Sequence, residues 1–233
     1  MMIKMLETVI RTGIQGTNIV GFYNATTLTI MRHLQQIGYQ ALNMPELVDF
    51  LIETDLEGET HIFFSSSVIV VGARTGFTDP IVVYAHVPNL LSNPNDAEFA
   101  KTDYGTTYVN GKIMIPQSEF ERLLDLKDDK RVFVFNNSEL YRAGQGFLTV
   151  EKALEHPQTL GFFGDLERAE KYLGKFHPGG VDLTIPSLTI DEGYAAGSTF
   201  ITASDIDDLG LNANINSQLL LGNYERILAK PKE

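Results

Sequence analysis

The stretch from His61 to Val87 constrains this chain more than any other. It holds two runs rich in β-branched and aromatic residues, HIFFSSSVIVVG and IVVYAHV, joined by ARTGFTDP. Branched and aromatic side chains pack well on a pleated surface, so both runs read as strands. The connector decides how they pair. A parallel, nucleotide-binding arrangement needs G-x-G-x-x-G and then a helix whose N-terminal amides meet the pyrophosphate. Gly72-Ala73-Arg74-Thr75-Gly76 has the wrong spacing and lacks the middle glycine, and no Gly-Lys-Ser/Thr follows for a Walker loop. Thr78-Asp79-Pro80 is turn chemistry instead, and it predicts an antiparallel hairpin. Arg74 is then a solvated loop charge, available at most to a ligand.

The remaining local signals alternate between helix and strand. Asn24 is placed to cap a helix with Leu28, Ile30, Met31, Leu34 and Ile37 at helical spacing until Gly38. A second helix starts near Pro45, with Leu47, Val48, Leu51 and Ile52 as its apolar stripe. Asn110-Gly111 between apolar runs predicts a type I′ hairpin over 107–115, and Ser118-x-x-Glu121 reads as a capping box. A strand is expected at Arg131–Phe135. Thr149 and Asp165 are placed to cap helices ending before Pro157 and at Gly174. Strands are expected at 182–190 and 198–203, and the closing NYERILAK reads as strand or helix. The irregular interleaving predicts an α+β fold: a mixed, mainly antiparallel sheet with β-hairpins and several short helices. A helix pair plus β-hairpin region over 1–130 and a smaller α+β region over 131–233 are expected, as two domains or one continuous one.

Two helices followed by a hairpin resemble the outline of a winged helix-turn-helix, but the charges disagree. The second helix carries Glu46, Asp49 and Glu53 and would repel phosphate. The whole chain, with 30 Asp+Glu against 18 Lys+Arg, has no basic face for a duplex, so no nucleic-acid partner is expected. There are no cysteines, which removes disulfides, thiolate nucleophiles and Cys-ligated zinc. No apolar run approaches the roughly 20 residues of a bilayer span, and the start lacks a signal-peptide core. No membrane association is expected, and the expected location is intracellular and soluble, or within an assembled particle.

Candidate chemistry is sparse. His33, His61, His86, His156 and His177 show no metal spacing. His61 and His86 fall at the ends of neighbouring strands, where two imidazoles near each other would bind a ligand. His177, in the loop KFHPGG, is the candidate catalytic base. Asp205, Asp207 and Asp208 precede Gly210 as in a calcium loop, but Leu209 and Asn216 occupy two ligand positions. Acidic residues in the first turn of a helix explain them more simply, so no metal and no cofactor is expected. Ser65-Ser66-Ser67 lies inside a strand with no G-x-S-x-G elbow, where hydroxyls pair rather than attack.

With no catalytic motif, the leading expectation is a non-enzymatic structural or assembly protein, such as a subunit of a virion or large complex, with protein partners or self-association. A small-molecule-binding protein or enzyme using loop residues, and a regulator that binds protein through the N-terminal helix pair, are the alternatives.

Overall fold

The computed structural model describes residues 9–25, 27–54, 61–72, 79–89, 92, 108–109, 112–183, 185, 193–203, 210–211, 213–214 and 225–232. Its centre is strand β4 (His61–Gly72). β4 forms the expected hairpin with β5 (Ile81–Ala85), Val68 opposite Ala85 and Gly72 opposite Ile81. β5 is covered on its far edge by β8 (Val132–Asn136), and the other edge of β4 pairs along most of its length with β11 (Tyr194–Ala203). The Val68–Val71 run is apolar at every position because both faces of the sheet are buried. Side chains alternate across a strand, so Ile69 and Val71 enter one hydrophobic cluster and Val68 and Val70 another.

Helices cover both faces. On one side lie α2 (Met44–Thr54), α5 (Val150–Glu155), α6 (Pro157–Phe163) and α7 (Leu166–Phe176), which pack Leu47, Phe162, Phe163 and Tyr172 against the sheet. On the other, α3 (Gln117–Asp125) places Phe120 and Leu123 over Val68 and Val70. A third cluster joins α1 (Thr27–Gln36), through Ile30, Met31 and Leu34, to β2 (Val20–Tyr23) and to the closing strand β14 (Glu225–Pro231). The ERILAK part of the closing segment is thus a strand, and an interior one: β14 runs antiparallel to β2 and parallel to β4.

The rest of the main sheet is antiparallel: β1 (Ile10–Gly13) on β2, β3 (Tyr39–Ala41) on β14, and β13 (Ala213–Asn214) on β11. The Asn110-Gly111 hairpin is present as β6 (Tyr108–Val109) and β7 (Lys112–Met114), with Val109 opposite Lys112 across a two-residue connection. A small second sheet holds β9 (Gly146–Leu148), β10 (Val181–Leu183) and β12 (Gly210–Leu211). The fold is α+β with a mostly antiparallel mixed sheet. Short α4 (Asn137–Ala143) completes the described helices.

Several helix ends differ from expectation. Ser118 does not cap α3; the helix starts one residue earlier, with Pro116 at the cap and no side-chain cap bond. A reciprocal capping box forms instead at α2, where Asn43 Oδ1 accepts from Glu46 N–H and a Glu46 carboxylate oxygen from Asn43 N–H, both at 3.0 Å. Asn24 adopts φ 66° and lies short of α1 rather than directly before it. Thr149 and Asp165 cap as expected. Gly174 does not end α7, which continues to Phe176, because an isolated interior glycine costs a helix only about 1 kcal/mol and Tyr172, Leu173 and Phe176 pack against the core. Pro157 ends one helix and opens another, since a proline at the first helical position gives up an N–H that has no helical partner anyway.

Candidate functional site

The triple serine sits where β4 changes partners on both edges. Toward β11, Val68 faces Ser198 and Phe64 faces Phe200, so Ser65, Ser66 and Ser67 bulge opposite the single residue Thr199. On the other edge, β14 pairs with residues 62–64 and β5 with 68–72, leaving the serines between them. A strand interrupted in this way has backbone groups that regular ladders do not reach, and buried groups of that kind must be bonded. Here side chains do it. Ser67 N–H donates to Ser65 Oγ (3.1 Å), the Thr199 hydroxyl reaches Ser67 C=O (3.4 Å), and the Ser65 and Thr199 hydroxyls bond to each other. Ser66 N–H donates to Leu42 C=O (2.8 Å) and Asn89 Nδ2 to Ser66 C=O (2.9 Å).

His86 follows β5 and extends this network. Its Nε2 lies 3.0 Å from Gly161 C=O, and its Nδ1 lies 2.7 Å from Ser67 Oγ. A carbonyl only accepts, so these partners place the ring proton on Nε2 and leave Nδ1 to accept the Ser67 hydroxyl. Ser67 Oγ in turn accepts from Met44 N–H at 2.8 Å, closing the first turn of α2. Gly161 has no room for a side chain: a Cβ would stand 2.7 Å from the Phe135 ring and 2.9 Å from Tyr84. One imidazole therefore ties β4, the end of β5 and α6 together. Burial pushes its pKa down to about 4, the Arg168 charge adds to that fall, and the Gly161 bond opposes it.

Ser67 and His86 have the residue types of a nucleophile and its base, but not the setting. Ser67 is 2% exposed and His86 4%, and the Ser67 oxygen is already donor to one group and acceptor from another. An electrophile has no approach. These serine hydroxyls pair, as expected of hydroxyls inside a strand, and their partners lie on other elements: Thr199, Met44 and His86, and Ala41.

The other candidates scatter. His86 is beside Ser67 in the register, whereas His61 lies six residues further along β4, on the order of 20 Å away at the usual strand rise, so the two are not brought together. His177 caps the C-terminus of α7 and packs on Tyr172 with ring centroids 5.5 Å apart; burial lowers its pKa. His33 lies on α1, half-buried against Phe22. His156, unmarked as a structural residue in the sequence, caps α6 by accepting from Gln158 N–H, and its Nε2 reaches Gly144 C=O at 3.0 Å. Arg74, Asp205, Asp207 and Asp208 lie outside the described residues. Among the described residues no three His, Asp or Glu side chains converge as a metal site. No described helix is long and apolar enough to cross a membrane.

Beside the serine bulge the sheet splits, and a cleft of about 500 Å³ opens between β3 and the segment after β5. Met31 and Leu34 of α1 form its apolar wall, and Ser66 and His86 its floor. Glu46, Arg131 and Lys232 supply its charges. Lys230 pairs with Glu46 at 2.8 Å, and Arg131 with Asp129 at 2.7 Å.

The frame is a mixed, mostly antiparallel sheet covered by helices, with β14 set between β2 and β4 and the Ser67 and His86 side chains bonded within it. Comparison makes the class specific. A solved structure described as "Accommodation of massive sequence variation in Nanoarchaeota by the C-type lectin fold" superposes with a TM-score of 0.72 at 32% sequence identity, over 93% of this chain and 99% of that one. The chain belongs to this family of C-type lectin fold proteins. No protein-family model and no curated protein matches it.

Proposed function

We propose that this protein acts by binding, as a non-enzymatic recognition or assembly component whose C-type lectin frame carries a partner-facing surface. The observation that carries the reading is the whole-length match to a structure described as accommodating massive sequence variation. A fold that tolerates variation must keep its stability in groups that do not vary, and such a reserve is present here. The hydroxyls of Ser65, Ser67 and Thr199 and the imidazole of His86 are buried and spent on one another and on backbone. Capture of a protein partner, or of further copies as in a large particle, fits such a frame better than turnover does.

Native mass spectrometry of the purified protein, from low to high micromolar and with extract of its source cells, tests this. Discrete oligomers, or a defined complex with another macromolecule, are expected. A protein that stays monomeric throughout and enters no larger species contradicts it.

A further inference from the structure

One wall of the cleft beside the serine bulge is the edge of β3 that faces away from β14. Gly38 C=O accepts from Lys232 N–H (2.9 Å), Leu42 N–H donates to Leu228 C=O (2.8 Å), and Gln40 stands opposite Lys230. Backbone groups of alternate residues point to opposite edges of a strand. Residues 38, 40 and 42 thus face β14, and Tyr39 and Ala41 turn their N–H and C=O groups the other way, where both residues line the cleft. Among the described strands β3 pairs with β14 alone. Ala41 C=O takes the Ser66 hydroxyl at 3.2 Å, which marks the point where β4 separates from this edge.

We infer that the cleft receives an extended acidic segment of a partner protein, which adds to the edge of β3 away from β14, unpaired among the described strands, as a further strand. This deepens the binding reading and rests on it. An open edge selects an extended backbone, because main-chain bonds supply the affinity and neighbouring side chains the selectivity. At the strand rise of about 3.3 Å, β3 offers an edge of roughly 10 Å, enough for three or four residues. Charge selects the sequence. Arg131 and Lys232 line the cleft against Glu46, whose charge Lys230 pairs, while Asp129 pairs Arg131, so the surplus is one positive charge, on a chain of net charge −12. Screening over about 8 Å at physiological salt confines the repulsion from distant acidic residues, so local cations decide the sign. A second copy of this acidic chain is the less complementary occupant.

Fluorescence anisotropy with a labelled Glu-Val-Glu-Val-Glu-Val peptide tests the inference, against a Lys-Val counterpart and an acidic peptide N-methylated at alternate residues. Saturable binding of the acidic peptide is expected, at least tenfold weaker for both controls. Ala41→Pro removes an edge N–H without touching the β14 ladder, and Lys232→Glu reverses a rim charge; each is expected to weaken binding at least tenfold with an unchanged melting temperature. Should Ala41→Pro disturb folding, Lys232→Glu and Arg131→Glu, both at exposed side chains, carry the test. No saturable binding up to millimolar peptide, equal binding of the lysine peptide, or undiminished binding by folded variants overturns it. Native mass spectra of the same samples separate the two claims: intact complexes with no peptide binding overturn the cleft and leave the binding reading standing.

Discussion

His86 links a single side chain to the behaviour of the whole protein. Its pKa is held down to about 4, against an ordinary 6.5, chiefly by burial, so the folded state excludes a proton that the unfolded chain accepts. The stability contributed by the neutral ring is complete above pH 6.5 and is lost as pH falls toward 4. A 2.5-unit gap corresponds to roughly 3 kcal/mol across that window. Urea melts at pH 7 and pH 5 are expected to show the loss in the native protein and a much smaller one in His86→Gln. His177, also lowered by burial, leaves a residual dependence of the same sign. An identical pH slope in His86→Gln contradicts the assignment. Two tyrosines give the opposite kind of test. Among the described residues the Tyr84 and Tyr172 hydroxyls are buried without a hydrogen-bond partner. Removing an unsatisfied buried hydroxyl relieves about 1–3 kcal/mol of desolvation. Tyr84→Phe and Tyr172→Phe are therefore expected to melt at or above the native temperature.

Elements were legible where local chemistry alone decides them. The β4–β5 pairing, the β6–β7 pairing and the caps at Thr149 and Asp165 follow from residue types a few positions apart. The capping box was misplaced because S-x-x-E and N-x-x-E are equally good patterns, and the choice between them rests on neighbours. Pro116 starts α3 ahead of Ser118, while Ser67, reached only through the fold, secures Met44 at the start of α2. Asn43→Ala is expected to cost about 1 kcal/mol, with Ser118→Ala within about 0.5 kcal/mol of native in the same denaturation series. The reverse order contradicts these helix starts. The bulge was illegible for a related reason: the serine run is in plain view, but Thr199, its partner across the sheet, is more than a hundred positions away. Thr199→Val is expected to cost about 1–3 kcal/mol, since it strands the buried Ser65 hydroxyl and the Ser67 carbonyl.

At the scale of the molecule, β14 lies between β2 and β4, so the sheet cannot close until the last residues arrive. A chain truncated before Glu225 is expected to lack a cooperative thermal transition by circular dichroism, and a sharp transition in that truncation contradicts the topology. The same long-range closure explains why the family was not readable from motifs. In this chain β14 joins β2 and β4, and β4 changes partners at Ser65–Ser67, and neither feature leaves a short-range pattern. The candidate site was half legible. His86 stood out as a histidine at a strand end, but its pairing with Ser67 and Gly161 depends on α6 crossing over the sheet at a glycine.

Ser67 and His86 hold the frame, and on the proposed reading the protein works by binding. The most direct test is intact and peptide-level mass spectrometry after incubation with a fluorophosphonate, which labels activated serines. No adduct on Ser67 is expected in the folded protein, and Ser67→Ala is expected to be destabilised by about 1–3 kcal/mol because Met44 N–H and His86 Nδ1 lose their partner. Stoichiometric labelling of Ser67 that disappears in His86→Gln would show a working nucleophile and overturn it.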